Sequence, residues 1–395
     1  MATAISGPLE SPVWARERAK PDSVPWYLWC SVLAITSVTI GLHWDISWHR
    51  SIGRDTFWTP AHLAIQFCGI LSGVVCGYLI LHTTFAENSP FRDRAVRVMG
   101  FRGPLGAFMV AWGGMAMVFS APFDNWWHGA YGLDVKILSP PHTVLALGIF
   151  AVAFGSLVLI AGQMNRAEGA LRRQFEYIFL YVSGMVFVLM QVFIMEFLLV
   201  VAKHTSLPYR VLAITCPILL ISSAYALDRR FVMTTIAGIY TAFILGLMAI
   251  LPLFHAAPKL GPVFHPINYF VPPPFPPMVI VPALALDIVL LFGKAKSWNK
   301  WLIAFVCGIV FTGFMVASDW NMASFLLRTK LGQARFFQIG YLDYATPIDT
   351  FYSRKQFFPE SPEHLWMGLG LATLFATLSA RVGMARGLWL KRVVR

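Results

Sequence analysis

This chain is poor in charge. Only 13% of its 395 residues are Asp, Glu, Lys or Arg, and just 19 are acidic. So few charges cannot keep a soluble protein of this size hydrated. The 57% hydrophobic content and mean hydropathy of +0.64 lie far outside the soluble range. Cysteine is scarce too. Cys30, Cys68, Cys76, Cys216 and Cys307 all fall inside apolar runs, which excludes a disulfide framework and leaves ordinary packing. There is no Cys-x2-Cys or Met-x2-Met run of the kind many copper carriers use, no low-complexity tail, no coiled coil and no stretch that reads as a soluble domain.

What the chain has instead is long apolar runs. Ten of them, near 26–43, 61–82, 103–122, 142–163, 176–202, 208–227, 231–253, 275–293, 299–318 and 364–385, are each about long enough to cross a bilayer as a helix. The expected fold is all-α: a polytopic integral membrane bundle of about ten transmembrane helices. Residues 1–25 are polar, carry Arg16, Arg18 and Lys20, and lead straight into the first run, so no cleavable signal is expected.

The net charge of +12 follows orientation. Basic residues gather at the N-terminus, at Arg92/Arg94/Arg97/Arg102, at Arg166/Arg172/Arg173, at Arg229/Arg230, at Lys294/Lys296/Lys300 and from Arg381 to Arg395. An even number of spans puts all of these on one side, which the positive-inside rule makes the cytoplasm, together with both termini. The expected location is the cell inner membrane, and the expected surroundings are lipid, not nucleic acid.

The histidines gather on the other side. His43, His49, His62, His128, His142, His204, His255, His265 and His364 lie in or beside the loops expected at 43–61, 123–141, 203–207, 254–274 and 319–363; only His82 falls opposite. Two of these loops are copies. The first reads Asp45-Ile46-Ser47-Trp48-His49, then Gly53-Arg54-Asp55, then Thr59-Pro60-Ala61-His62. The second reads Asp124-Asn125-Trp126-Trp127-His128, then Gly132-Leu133-Asp134, then Ser139-Pro140-Pro141-His142. Each copy is a helical hairpin, so the chain divides into an N-terminal segment 1–25, duplicated hairpins over 26–165 and six further spans over 166–395.

An i,i+4 spacing sets Asp45 and His49 on one helix face if the helix continues through them. Thr59 suits an N-cap and Pro60 the first helical position, so His62 projects from the first turn of the next span. The same grammar covers Asp124, His128 and His142. Two imidazoles and a carboxylate suit copper, zinc or ferrous iron and leave coordination positions open. Asp55 and Asp134 are candidates for orienting those ligands; a loop salt bridge, Asp55 with Arg54 for instance, serves equally well. A third, partial echo stands at Ser361-Pro362-Glu363-His364 and reads as a helix start.

Other features carry weaker expectations. Glu196 and Asp287 fall inside apolar runs, where acids often mark ion paths; hydrogen bonding inside the bundle is the plainer reading. Met185, Met190 and Met195 near Glu196 read as packing before they read as a Cu(I) route. The Pro-rich stretch 254–277 should be extended and stiff, and His255 with His265 is a lesser candidate pair. Met322 to Leu327 reads as a short surface helix.

The first copy, Asp45-x3-His49-x3-Gly53-Arg54-Asp55-Thr56-x2-Thr59-Pro60-x-His62, resembles the copper site of the C subunit of particulate methane and ammonia monooxygenases. The second, Asp124-x3-His128-x13-His142, is similar in spacing to that subunit's second copper site, with Asp124 where the family usually has Asn and Asp134 alone where it has a pair of acids. The resemblance covers about residues 30–165. It implies copper as cofactor, a small apolar or neutral substrate oxidised with dioxygen, a second membrane subunit and a partner with cupredoxin domains. No cupredoxin pattern occurs in this chain. Copper transport or copper-site assembly without catalysis, and a structural haem or zinc, are the competing readings.

Overall fold

The computed structural model describes residues 22–53, 58–132, 139–256, 263–264, 267–337, 349–350 and 354–394. Ten long helices account for most of them: α1 (Trp26–Ser51), α2 (Pro60–Phe85), α3 (Leu105–Tyr131), α4 (Pro140–Met164), α5 (Gly169–Ile194), α6 (Leu207–Ala226), α7 (Val232–Ile250), α8 (Ile280–Ala295), α9 (Lys300–Arg328) and α10 (Pro362–Leu390). A two-stranded hairpin, β1 (Val96–Val98) with β2 (Phe101–Gly103), closes the α2–α3 connection.

Among the described residues, nine helices are long and apolar enough to cross a membrane. The exception is α8. The expected span at 275–293 becomes a 16-residue helix because five prolines so close together (Pro272, Pro273, Pro274, Pro276 and Pro277) remove too many N–H donors for a helix to run through them. At about 1.5 Å per residue it reaches roughly 24 Å, short of a bilayer core. The prolines form the expected extended stretch, yet Pro272, Pro276 and Pro277 are buried within the bundle.

Two other expectations change and one holds. Residues 319–328 belong to α9, so Met322 to Leu327 does not form a separate surface helix; Ala323, Leu326 and Leu327 pack against Val200 and Val201. Glu196 is exposed in a 3-10 turn (Met195–Phe197) that continues α5 inside the candidate span Gly169–Phe197, so it is not hydrogen-bonded within the bundle interior. Asp287 is buried and structural. Reaching from α8, it accepts hydrogen bonds from Met233 N at 3.3 Å, Thr234 N at 2.8 Å and Thr234 Oγ1 at 2.7 Å, and so caps the start of α7.

Consecutive helices pack as neighbours from α1 to α4, alternating in direction. The α1–α2 and α3–α4 junctions therefore fall at the same end of this four-helix group. Glycine sets the closeness of the second hairpin: a methyl at Gly113 would lie 2.6 Å from the Gly148 carbonyl oxygen. Without a hydrophobic drive between helices in lipid, such small-residue contacts carry much of the packing.

A buried charge pair ties the far half together. Lys203 Nζ lies 3.0 Å from Asp319 Oδ2, with side chains 2% and 0% exposed. Asp319 Oδ1 also accepts from Met278 N at 2.9 Å. Beside it His204 is stacked between Trp320 and Phe357, with ring centroids 4.1 and 3.5 Å away, and burial pushes its pKa down.

Candidate metal centres

The sequence places Asp45 and His49 past the end of an apolar run; the structure places them on the last turns of a helix. α1 continues eight residues beyond position 43, to Ser51. α3 likewise runs through Pro122 and on to Tyr131, carrying Asp124 and His128. The glycine shared by the repeats ends both helices. Gly53 and Gly132 have φ of 94° and 84°, a backbone that glycine adopts without penalty, and each N–H donates to the carbonyl of the preceding site histidine at 3.1 Å.

The partner helices begin as their sequences require. Thr59 Oγ1 accepts from His62 N at 3.3 Å, and Ser139 Oγ accepts from His142 N at 3.4 Å, each with Pro in the first turn. His62 and His142 are thereby aimed at the ends of α1 and α3. Ser361 caps α10 over His364 in the same way, but among the described residues no carboxylate-and-histidine cluster forms there. That third echo is a helix start.

Both trios converge. Asp45 Oδ1 lies 3.0 Å from His62 Nε2 and 3.8 Å from His49 Nε2. Asp124 Oδ2 lies 3.3 Å from His128 Nε2, and Asp124 Oδ1 lies 3.5 Å from His142 Nε2. Within each trio one ligand atom per residue falls within 4.8 Å of the others. Metal–ligand bonds of about 2.1 Å imply donor separations of roughly 3.4 to 4.2 Å, so modest adjustment completes either set.

The carboxylates bear on whether such an ion fits. Asp45 Oδ1 and Asp124 Oδ1 are both buried and receive no hydrogen bond among the described residues, although imidazole nitrogens stand close by. Asp45 and His62 approach within hydrogen-bond distance without the alignment that a ring N–H donor needs. Donor lone pairs meeting at a common point produce that arrangement. In the second trio His128 Nδ1 lies 3.3 Å from the Gly132 carbonyl. A carbonyl only accepts, so the ring proton sits on Nδ1 and Nε2 is left as a ligand atom. The residues fit a divalent or monovalent transition ion held by two imidazoles and one carboxylate, with positions left over.

The other candidates either lie outside the described residues or are not ligands. Asp55 and Asp134 lie outside the described residues, as do Arg54 and His265. His255 Nδ1 is 3.0 Å from the Asn268 carbonyl, on a bridge to Tyr269. His43 is buried, with Nδ1 2.8 Å from Thr39 O, and is not among the ligands. The sequence does not reveal the Lys203–Asp319 pair because both residues sit at the polar edges of apolar runs; the one clue is that apolar residues resume after Asp319 as far as Leu327.

Comparison with protein-family models, with curated proteins and with solved structures finds no match to this chain. The fold and the two clusters define a class: an all-helical protein built to cross a membrane repeatedly, with a pair of two-histidine, one-carboxylate clusters at paired helix junctions. The likeness to the copper monooxygenase C subunit stands on the motif residues alone.

Proposed function

We propose that the chain is a copper-binding membrane protein, a subunit or relative of a particulate copper monooxygenase, that oxidises a small substrate with dioxygen at the non-cytoplasmic edge of the cell inner membrane. The observation that supports this reading is the duplication: two separate hairpins bring Asp, His and His to within 4.8 Å by the same local devices. The donor set alone suits zinc or iron as well; copper comes from the resemblance. Bound there, copper would supply redox chemistry toward dioxygen, with electrons from an external reductant such as a cupredoxin-type partner subunit.

The chain's own residues do the rest. Asp45 and Asp124 fix the negative side of each cluster from helices whose last turns are ended by glycine. The Thr59 and Ser139 caps fix the helix starts from which His62 and His142 project. His49 and His128 complete the sets from one turn further along. Both clusters stand partly open, with Asp45 18% and Asp124 28% exposed, so a small neutral substrate can reach them from the membrane edge.

One observation favours a second reading, copper capture and hand-off without catalysis: the His49 side chain is 47% exposed, enough for exchange with a carrier. Metal analysis and electron paramagnetic resonance on purified wild type, His62→Ala and His142→Ala separate the readings. The oxygenase reading expects two coppers, one lost in each variant, and substrate oxidation that falls with them. Copper without any oxidation supports hand-off. Protein free of transition metal after growth in copper removes both.

A further inference from the structure

At the end of the four-helix group away from the clusters, two arginines share one cleft. Arg94 follows the end of α2 and Arg166 follows the end of α4, whereas the clusters stand at the starts of those helices. Both arginines line a cavity of about 20 Å³ between the α2–α3 connection, the last turns of α4 and Val394, just past α10. Both are half-buried.

The cleft is built around positive charge. Arg166 is held in place: its Nε donates to Gly162 O at 2.9 Å and its Nη2 donates to Gln163 Oε1. Gln163 is fixed in turn, with Nε2 donating to the buried Tyr27 hydroxyl at 2.6 Å. Burial, and then the charge on Arg94, pushes the Arg166 pKa down. Arg94 makes no ion pair among the described residues. The nearest acids in sequence, Asp93 and Glu168, do not line the cavity. Two guanidinium groups on one small space repel each other until an anion joins them. The same connection repeats the pattern outside the cleft. Arg97 and Arg102 are direct partners across the β1–β2 ladder, where like charges are destabilising. The turn between them carries Met99, 86% exposed.

We propose that the Arg94–Arg166 cleft binds the phosphate of an anionic phospholipid. Guanidinium groups present paired N–H donors that match phosphate oxygens. A water-sized group needs about 10–15 Å³, so the cavity admits one or two oxygens and leaves the rest of the molecule outside. The two free oxygens of a phosphodiester have that size. Apolar Leu159 and Val394 complete the walls, which suits a lipid better than a fully hydrated phosphate ion. The hairpin arginines and Met99 then lie against the neighbouring headgroups. Basic pockets at the ends of membrane helices take lipid headgroups in this way. The inference does not depend on metal binding.

The test is native mass spectrometry of the delipidated full-length protein in detergent. It is titrated with dioleoylphosphatidylglycerol, with dioleoylphosphatidylcholine, which has the same phosphodiester but no net charge, and with inorganic phosphate. Wild type should hold one phosphatidylglycerol about tenfold more tightly than phosphatidylcholine, and excess inorganic phosphate should not displace it. Arg94→Gln should weaken phosphatidylglycerol about tenfold. Lys296→Gln, which removes an exposed charge elsewhere, should leave the affinity unchanged. His49→Ala should also leave it unchanged, which separates failure here from failure of the metal reading. Equal affinity of wild type for the two lipids would overturn the proposal, and that comparison stands even if Arg94→Gln does not fold. Wild-type affinity in Arg94→Gln, or an equal loss in Lys296→Gln, would overturn it too. Displacement by inorganic phosphate would assign the cleft to a soluble ion and reject the lipid.

Discussion

The two hairpins carry the same donor set on the same local scaffold and differ in what surrounds them. The first is braced by the rest of the chain. Ser47 Oγ donates to Val271 O at 2.6 Å, Val271 N donates to Ser51 Oγ at 2.7 Å, and Ile52 packs with Leu251, Ala256 and Phe270. The junction of the second hairpin shows no such tie to the rest of the chain among the described residues, although α4 packs against α5 and α10 further along. Its junction carries its own aromatic cluster, with Trp127 and Tyr131 at 4.4 Å and Phe123 stacked on Trp126 at 6.0 Å, while Trp126 and Tyr131 remain 56% and 68% exposed. One cluster is held from outside its hairpin and the other from within. A duplicated site can thus keep its ligands and diverge in stiffness and access.

The comparison breaks most readily if the two clusters are not independent. Asp45→Asn should weaken metal binding at the first cluster by at least about 100-fold, since loss of a ligand exceeds the 10–100-fold typical of losing an orienting partner. Asp124→Asn should do the same at the second. Metal stoichiometry with spectroscopy should show each variant retaining the other cluster's ion. If either substitution empties both, the hairpins form one coupled centre and the contrast drawn here collapses.

A smaller effect sharpens the difference in bracing. Ser47→Ala with Ser51→Ala removes both tethers to Val271 and leaves a buried backbone N–H unpaired, which costs about 1–3 kcal/mol. Metal release from the first cluster into a chelator should quicken, and release from the second should not change. Equal acceleration at both would show that the brace stabilises the bundle as a whole. The complementary variant, Trp127→Ala, removes aromatic contacts worth about 0.5–1.5 kcal/mol beyond buried area. Its expected effect falls on the second cluster alone, read by the same chelator experiment.

The contrast also explains what the sequence could and could not convey. The ligands, the caps and the terminating glycines are local, and local chemistry is written in adjacent residues. Thr59-Pro60-x-His62 and Ser139-Pro140-x-His142 state the helix starts, and each Gly four residues past a histidine states a helix end. Hydropathy misplaced those ends because apolar character stops near position 43 while the backbone helix continues to Ser51. The tie from Ser47 to Val271 spans 224 residues and joins two ordinary residue types, so no spacing reveals it. The same holds for Lys203 and Asp319, whose burial depends on α9 continuing past the polar step at Asp319.

The smallest expected effect concerns what the hairpins share. Thr59 and Ser139 cap their helices through contacts of 3.3 and 3.4 Å, longer than the 2.7–3.2 Å of a strong N–H···O bond. Thr59→Ala and Ser139→Ala should therefore sit at the low end of cap losses, about 0.5 kcal/mol each. The caps also aim His62 and His142, so the loss should register as weaker metal binding of about two- to threefold, with thermal stability nearly unchanged. The two variants should match if the caps act only on their own helix. A distinctly larger loss for Ser139→Ala would follow if the brace on the first hairpin holds its junction even when the cap is gone, and it would locate the difference between the clusters in rigidity of the junction, not in the ligands.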